Sequence, residues 1–249
     1  MMTRFLTSTA LALTLALPAA ALDLGSMTDA ERSALHDEIR TYLLENPEVI
    51  MEAVAVLEQR QQQDQVSADQ EMVSRNSDAI FNDDHSWVGG NPEGDITIVE
   101  FLDYRCGYCK RAFGEVKELL ETDGNIRFIV KEFPILGEAS VMASRFAIAT
   151  KLEAGDEAYE SLHDGLMAFN GDITEAALKR LATSFGLDAD AIAARMEDDE
   201  VSEAIAQNHA LAGALQITGT PTFVMGDQMV RGYVPLEGME QIVAELRKE

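Results

Sequence analysis

The sequence predicts an α/β domain that carries an inserted block of helices and follows an N-terminal helical arm. Three observations lead there. β-Branched and aromatic runs stand at Asp95–Tyr104, Asn125–Phe133 and Thr220–Val234, the composition of buried strands. Between the second and third runs, from about Ala139 to Gln216, lies an alanine-rich stretch whose apolar residues recur at helical spacing. Ahead of the first run, residues 28 to 75 repeat apolar side chains every three or four positions with no strand signal. Strands before and after an inserted helical block fit an α/β domain.

Taken in order, the chain opens on "MMTRFLTSTALALTLALPAAALDL", with one charge at Arg4, a weakly polar to apolar run from Phe5 to Leu17, then Pro18 and three alanines. This is the pattern of a secretory leader, residues 1–21, cleaved after Ala21. The run is too short for the roughly 20 residues of a membrane span. Thr28 or Asp29 is placed to cap a helix bearing Leu35, Ile39, Tyr42 and Leu43 on one face. Asn46 as N-cap and Pro47 as first helical residue restart a second helix. Its stripe of Ile50, Val54 and Leu57 continues weakly past "EQRQQQDQ" to Met72 and Val73.

A helix reaching Arg75 with so little apolar surface needs a partner face, most simply the same helix of another subunit. Folding back on its own domain is the alternative. Residues 22–75 are read as an oligomerisation arm, and residues 76–94, rich in Asn, Asp, Gly and Pro, as a linking loop. From Asp95 a strand, a helix from Cys106 to about Leu120 and a second strand form a unit whose right-handed crossover favours a parallel pair. The inserted helices break at Gly155, Asn170 to Asp172 and Gly186 to Asp188. Two short strands then turn at Gly226 and Asp227, and "PLEGMEQIVAELRK" closes the chain as an amphipathic helix.

The formal charge is −25. Nucleic acid and anionic membrane surfaces repel such a chain, so neither is expected as a partner. The 249 residues, 47% hydrophobic, suffice for one sizeable core and a smaller appendage.

Chemistry concentrates in "VEFLDYRCGYCKRAF", which holds the only two cysteines, Cys106 and Cys109. A structural zinc site needs four ligands, and there is neither a second cysteine pair nor a histidine at metal-like spacing, since His36, His85, His163 and His209 are scattered singly. A two-coordinate Cu(I) site stays open, because soft metals accept two thiolates. A staple closing so small a loop stabilises little. Placement favours redox chemistry. Cys106 falls where a strand ends and a helix begins, so unpaired N–H groups and the positive end of the helix dipole favour its thiolate. Cys109, one turn further in, can reach it while being better shielded; Cys106 reads as the nucleophile and Cys109 as the resolving thiol.

"VEFLDYRCGYC" followed much later by "TGTPTF" resembles the thioredoxin fold, and the helical insertion between them resembles the DsbA-like family of exported thiol:disulfide oxidoreductases. The resemblance spans about Asp95 to Glu249. It implies a periplasmic protein without bound cofactor, its redox group being the Cys106–Cys109 disulfide. It implies further that Thr220–Pro221 is a cis bond facing the cysteines and pairing with an extended client. Glu100, six residues before Cys106, matches the family's buried acid; an isolated buried carboxylate has a raised pKa and can relay the resolving cysteine's proton. Lys131 matches the basic partner of that acid.

Between its cysteines this chain has Gly107 and Tyr108 where DsbA has Pro-His, and the missing His weakens the expectation of a strong oxidant. Tyr108 is placed to pack against a client. "YLLENPEVIMEAVAVLEQRQ" resembles the extension of the suppressor-of-copper-sensitivity C proteins, which also carry Gly-Tyr between the cysteines and Thr before the cis-proline. In some of them the arm makes a trimer whose several active sites shuffle wrong disulfides. The resemblance implies a homo-oligomeric disulfide isomerase acting on exported proteins and kept reduced by a membrane partner. A dithiol oxidase and a periplasmic Cu(I)-binding protein are the alternatives.

Overall fold

The computed structural model describes residues 25 to 248; the expected leader, 1–21, lies outside them. In chain order the elements are α1 (Asp29–Glu45), α2 (Glu48–Arg75), α3 (Ser77–Phe81), β1 (Trp87–Gly90), β2 (Ile96–Leu102), α4 (Gly107–Asp123), β3 (Ile126–Glu132), α5 (Glu138–Ala154), α6 (Asp156–Ala168), α7 (Glu175–Ser184), α8 (Ala189–Arg195), α9 (Asp199–Ala214), β4 (Thr222–Met225), β5 (Gln228–Arg231) and α10 (Leu236–Leu246). The chain divides into two compact units, with the boundary between Gln59 and Arg60, inside α2.

In the first unit, Thr28 Oγ1 accepts from the Glu31 N–H at 3.3 Å while the Glu31 carboxylate accepts from the Thr28 N–H at 2.8 Å. This reciprocal cap satisfies two of the orphan donors at the start of α1. Asn46 departs from expectation. Its side-chain amide donates to the Tyr42 carbonyl at 2.9 Å, so it closes α1 instead of opening α2. No residue of α1 is buried, and Ile39, Tyr42, Ile50, Val54 and Leu57 stand exposed.

The second unit is built on a five-stranded sheet ordered β1-β3-β2-β4-β5. β2 and β3 run parallel, as the crossover rule requires, and the other pairings are antiparallel. Strand alternation splits the apolar side chains between two cores. Ile98, Leu102, Phe128, Val130 and Phe223 face one way, toward α4, α10 and most of the inserted helices. Val99, Phe101, Ile129 and Val224 face the other, where Val73, Ile80, Leu211 and Leu215 cover them. Each fully buried side chain of this size contributes ~1.5–3 kcal/mol.

Two expectations are corrected here. The stretch 76–94 is not a loop throughout, since it holds α3 and the edge strand β1, paired in register from Trp87 with Val130 to Gly90 with Arg127. The indole of Trp87 lies over Gly89, where a Cβ would sit 2.0 Å from the ring, and Gly90 has φ +66. Both glycines thus serve a strand rather than a loop. The last turns of α2 belong with this unit too. Val73 enters the second core, and Asp69 takes a bidentate bond from Arg231 of β5 at 2.6 and 2.9 Å.

The inserted helices run from Glu138 to Ala214, breaking at Gly155 (φ +87) and Gly186 (φ +77) as expected. A further break separates α8 from α9 at 196–198.

Candidate active site at the start of α4

β2 delivers Asp103, Tyr104 and Arg105 into a tight connection before α4. The buried Asp103 carboxylate accepts from the N–H of Arg105 at 2.8 Å and from those of Ile135 and Leu136 at 2.8 and 3.0 Å. It thereby ties the cysteine approach to the loop after β3. Cys106 follows as the N-cap of α4, in extended conformation with its Sγ 3.2 Å from the carbonyl oxygen of Thr220. The Thr220–Pro221 bond is cis. The cysteines therefore meet the loop ahead of β4, 114 residues later in sequence.

The two thiols are unequal. Hydrogen bonding from the Cys109 thiol, reinforced by the Thr220 side chain and the N–H groups of Cys109 and Tyr108, brings the Cys106 pKa down from 9.0 to about 5 against the opposing effect of burial. Cys109 is fully buried, and its proton is held by the Cys106 sulfur, by burial and by the charge of Glu100, so its pKa is pushed far up. Glu100, 2% exposed, projects from β2 on the same side as Ile98 and Leu102. Its Oε1 has no hydrogen-bond partner among the described residues. Burial, then the nearby Cys106 charge, raise its pKa from 4.5 to about 8.

Lys131 does not join this group. In the parallel register Glu100 stands opposite Val130 and Phe101 opposite Lys131, so the strand period of two sends Lys131 to the other face of the sheet. There its Nζ donates to the Asp83 carboxylate and, at 2.9 Å, to the Ala79 carbonyl. The expected Glu100–Lys131 pairing is absent, and Lys131 secures α3 and the turn after it.

Tyr108 is 62% exposed, with its ring 6.4 Å from that of Tyr233 and the Arg111 guanidinium 4.4 Å over the latter. A Cβ at Gly107 would meet nothing within 4 Å. His163 is buried, stacked near Trp87 and Tyr159, and burial lowers its pKa to about 4. Among the described residues no group of three or more His, Cys, Asp or Glu could hold a metal ion.

A buried network behind the site escaped the sequence reading. Glu132 accepts from Tyr104 Oη at 2.7 Å, Tyr159 Oη at 2.6 Å and Ser144 Oγ at 2.7 Å, and Tyr104 Oη lies 3.0 Å from His163 Nδ1. Burial raises Glu132 from 4.5 to about 7 despite these donors. A signal existed: Glu132 falls two residues after Val130, on a strand face otherwise made of Ile126, Phe128 and Val130.

Residues 97–244 match the model of the DSBA-like thioredoxin domain. The chain belongs to the DSBA-like thioredoxin domain family. This is the thiol-disulfide oxidoreductase family of the DsbA and ScsC type, with a thioredoxin fold. Residues 31–64 match the N-terminal domain of the copper resistance protein ScsC. A thioredoxin-like oxidoreductase from Silicibacter pomeroyi is 43% identical over 70% of this chain and 99% of its own, with a TM-score of 0.66. ScsC of Proteus mirabilis, as a linker-deleted variant, is 27% identical over 90% of this chain and 99% of its own, with a TM-score of 0.67. The thiol-disulfide exchange protein α-DsbA2 of Wolbachia pipientis is 28% identical over 73% of this chain and 97% of its own, TM-score 0.69. Among curated proteins, the Na(+)/H(+) antiporter NhaA 3 of Salinispora tropica is 30% identical over 64% of this chain, which spans only 24% of the antiporter. No helix among the described residues is long and apolar enough to cross a membrane.

Proposed function

We propose that the protein is a periplasmic disulfide isomerase that acts on exported proteins as a homo-oligomer. The observation carrying the chemistry is the pairing of a stabilised Cys106, 8% exposed, with a proton-holding Cys109, 0% exposed. Cys106 thiolate attacks one sulfur of a client disulfide, forming a mixed disulfide and expelling the other client sulfur as a thiolate. If that or another client thiolate then attacks the client sulfur of the mixed disulfide, a new client disulfide forms, Cys106 leaves as thiolate and no net electrons move. If the client stalls, Cys109 gives its proton to ionised Glu100 and attacks the Cys106 sulfur. The client thiol leaves reduced and a Cys106–Cys109 disulfide remains, to be reduced by a membrane dithiol donor.

Thr220 and Pro221, facing Cys106, hold the client chain, with Gly107 leaving room for it and Tyr108 packing against it. The isomerase reading is supported by the ScsC-type match over 31–64 and by the exposed apolar side chains of α1 and α2. Oligomerisation through residues 22–75, as a trimer, would cover those side chains and concentrate several thiols around one client.

The low Cys106 pKa favours a second reading. A stabilised thiolate stabilises the dithiol, which makes the disulfide a better oxidant. Scrambled ribonuclease offered to the reduced protein separates the two. Recovered activity identifies an isomerase; activity only with reduced ribonuclease and the oxidised protein identifies an oxidase. Retention of one Cu(I) against a strong chelator, with neither activity, would move the assignment to metal handling. A monomer with and without residues 22–59 would remove the oligomer.

A further inference from the structure

We propose that the open cleft beside Cys106 is an anion subsite that takes an acidic side chain flanking the client's reactive cysteine; this rests on the thiol–disulfide reading above. The cleft, of about 360 Å³, is lined by Tyr104, Arg105, Lys110, Phe169 and Asp172 among others. Arg105 immediately precedes the nucleophile, and Lys110 follows it by one helical turn.

Their charges lack partners. The chain has 44 acidic residues against 19 basic ones, and Lys117, Lys151, Lys179, Arg195 and Arg247 all hold carboxylates within 4.0 Å. Among the described residues Arg105 and Lys110 hold none, although Asp172 stands on the same wall. Backbone carbonyls fix their head groups instead. Arg105 Nη1 donates to the Leu136 oxygen at 2.9 Å, and Lys110 Nζ donates to the Phe169 oxygen. Neutral acceptors position a cation without cancelling its charge. Burial also pulls the Lys110 pKa below its usual value, the sign of a charge with no counter-ion to offset its desolvation. A client carboxylate would supply one. Arg111, on the same helix as Lys110, lies over the Tyr233 ring and does not line the cleft.

The net charge of −25 does not override this arrangement. At physiological ionic strength charges beyond about 8 Å are largely screened, so a side chain entering the cleft responds mainly to the charges that line it, Arg105 and Lys110 against Asp172.

The test uses the full reduced protein and two peptides that differ only in Glu or Gln next to a single cysteine. Each is presented as its mixed disulfide with 2-thiopyridine. Cys106 thiolate attacks the peptide sulfur, the bond to the pyridine sulfur breaks, and the released thiopyridone is followed by stopped flow. The Glu peptide is expected to react about fivefold faster at about 0.15 M salt, as partly exposed charge pairs permit. That ratio is expected to approach one in about 1 M salt, where the screening length shrinks to about 3 Å, and in the Arg105→Gln, Lys110→Gln double variant.

Loss of these cations also alters the Cys106 thiolate, but both peptides share that change, so their ratio isolates the subsite. Equal rates in the wild type, or a ratio that neither salt nor substitution moves, overturn the subsite alone. Failure of both peptides to react overturns the thiol–disulfide reading and the subsite with it. If the double variant does not fold, the salt series and single Arg105→Gln decide.

Discussion

Glu100→Gln removes a buried charge while keeping the side chain's shape. Moving a carboxyl from 4.5 to about 8 corresponds to ~5 kcal/mol of disfavour for the charged form. The folded pKa lies above the unfolded one, so the folded protein binds the extra proton between them. Stability from this group is complete below pH 4.5 and is lost as pH rises to about 8. Cys106 works with the opposite sign. Its folded pKa of about 5 lies below 9.0, so its contribution is absent below pH 5 and grows toward pH 9. The two trends offset each other in the reduced protein.

Oxidation to the Cys106–Cys109 disulfide silences the thiol and leaves burial, the larger cause of the Glu100 shift, in place. Urea unfolding of the oxidised protein at pH 5, 7 and 8.5 then reads Glu100 directly. Trp87, the single tryptophan and 7% exposed, reports the transition. Wild type is expected to lose ~2–4 kcal/mol across that range after allowance for relaxation around the charge, and Glu100→Gln to lose clearly less. The same variant is expected to lack a rise near pH 8 in the rate at which Cys109 displaces a client. Parallel stability profiles for the two proteins would refute the assignment of a buried, proton-holding Glu100.

Two further substitutions test neighbouring contacts. Lys131→Met removes the ammonium partner of the mostly buried Asp83 carboxylate and leaves it the N–H groups of His85 and Ser86, so a loss of ~3 kcal/mol in urea is expected, with the Cys106 titration unmoved; a shifted titration would return Lys131 to the site. Asp69→Asn removes the charge from the bidentate pair with the partly exposed Arg231, and a loss of ~1–2 kcal/mol is expected. An unchanged urea midpoint would show that α2 gains nothing from that pair.

Much of this arrangement was legible in the chain. The Thr28 cap with Glu31 three residues later, the glycines at Gly155 and Gly186, and the β-branched run before Cys106 each have a local cause acting within a few residues, so sequence order suffices to find them. What failed depends on contacts distant in sequence. β1 is four residues long with two glycines, and it is a strand because Trp87 packs over Gly89 and β3 offers an edge; nothing local marks it. The break before α9 has no glycine or proline to announce it. Lys131 corresponds to a family position in sequence, but the strand repeat of two counted from Val130 sends it to the far face. Asn46 satisfies either helix equally well by type, and only its geometry selects α1. Among the site residues, the cysteines, Glu100 and Thr220–Pro221 meet in space as their motifs implied. The Glu132 network draws on Tyr104, Ser144, Tyr159 and His163 from several elements, a convergence that no spacing encodes.

The thiolate absorbance of reduced protein, titrated from pH 3 to 9 and compared with Cys109→Ala and Cys106→Ala, tests the central assignment most directly. One thiol is expected to ionise near pH 5, to persist in Cys109→Ala at a somewhat higher pH because its principal donor is gone, and to vanish in Cys106→Ala. A wild-type midpoint near 9, or an acid-range thiolate that survives Cys106→Ala, would contradict Cys106 as the nucleophile.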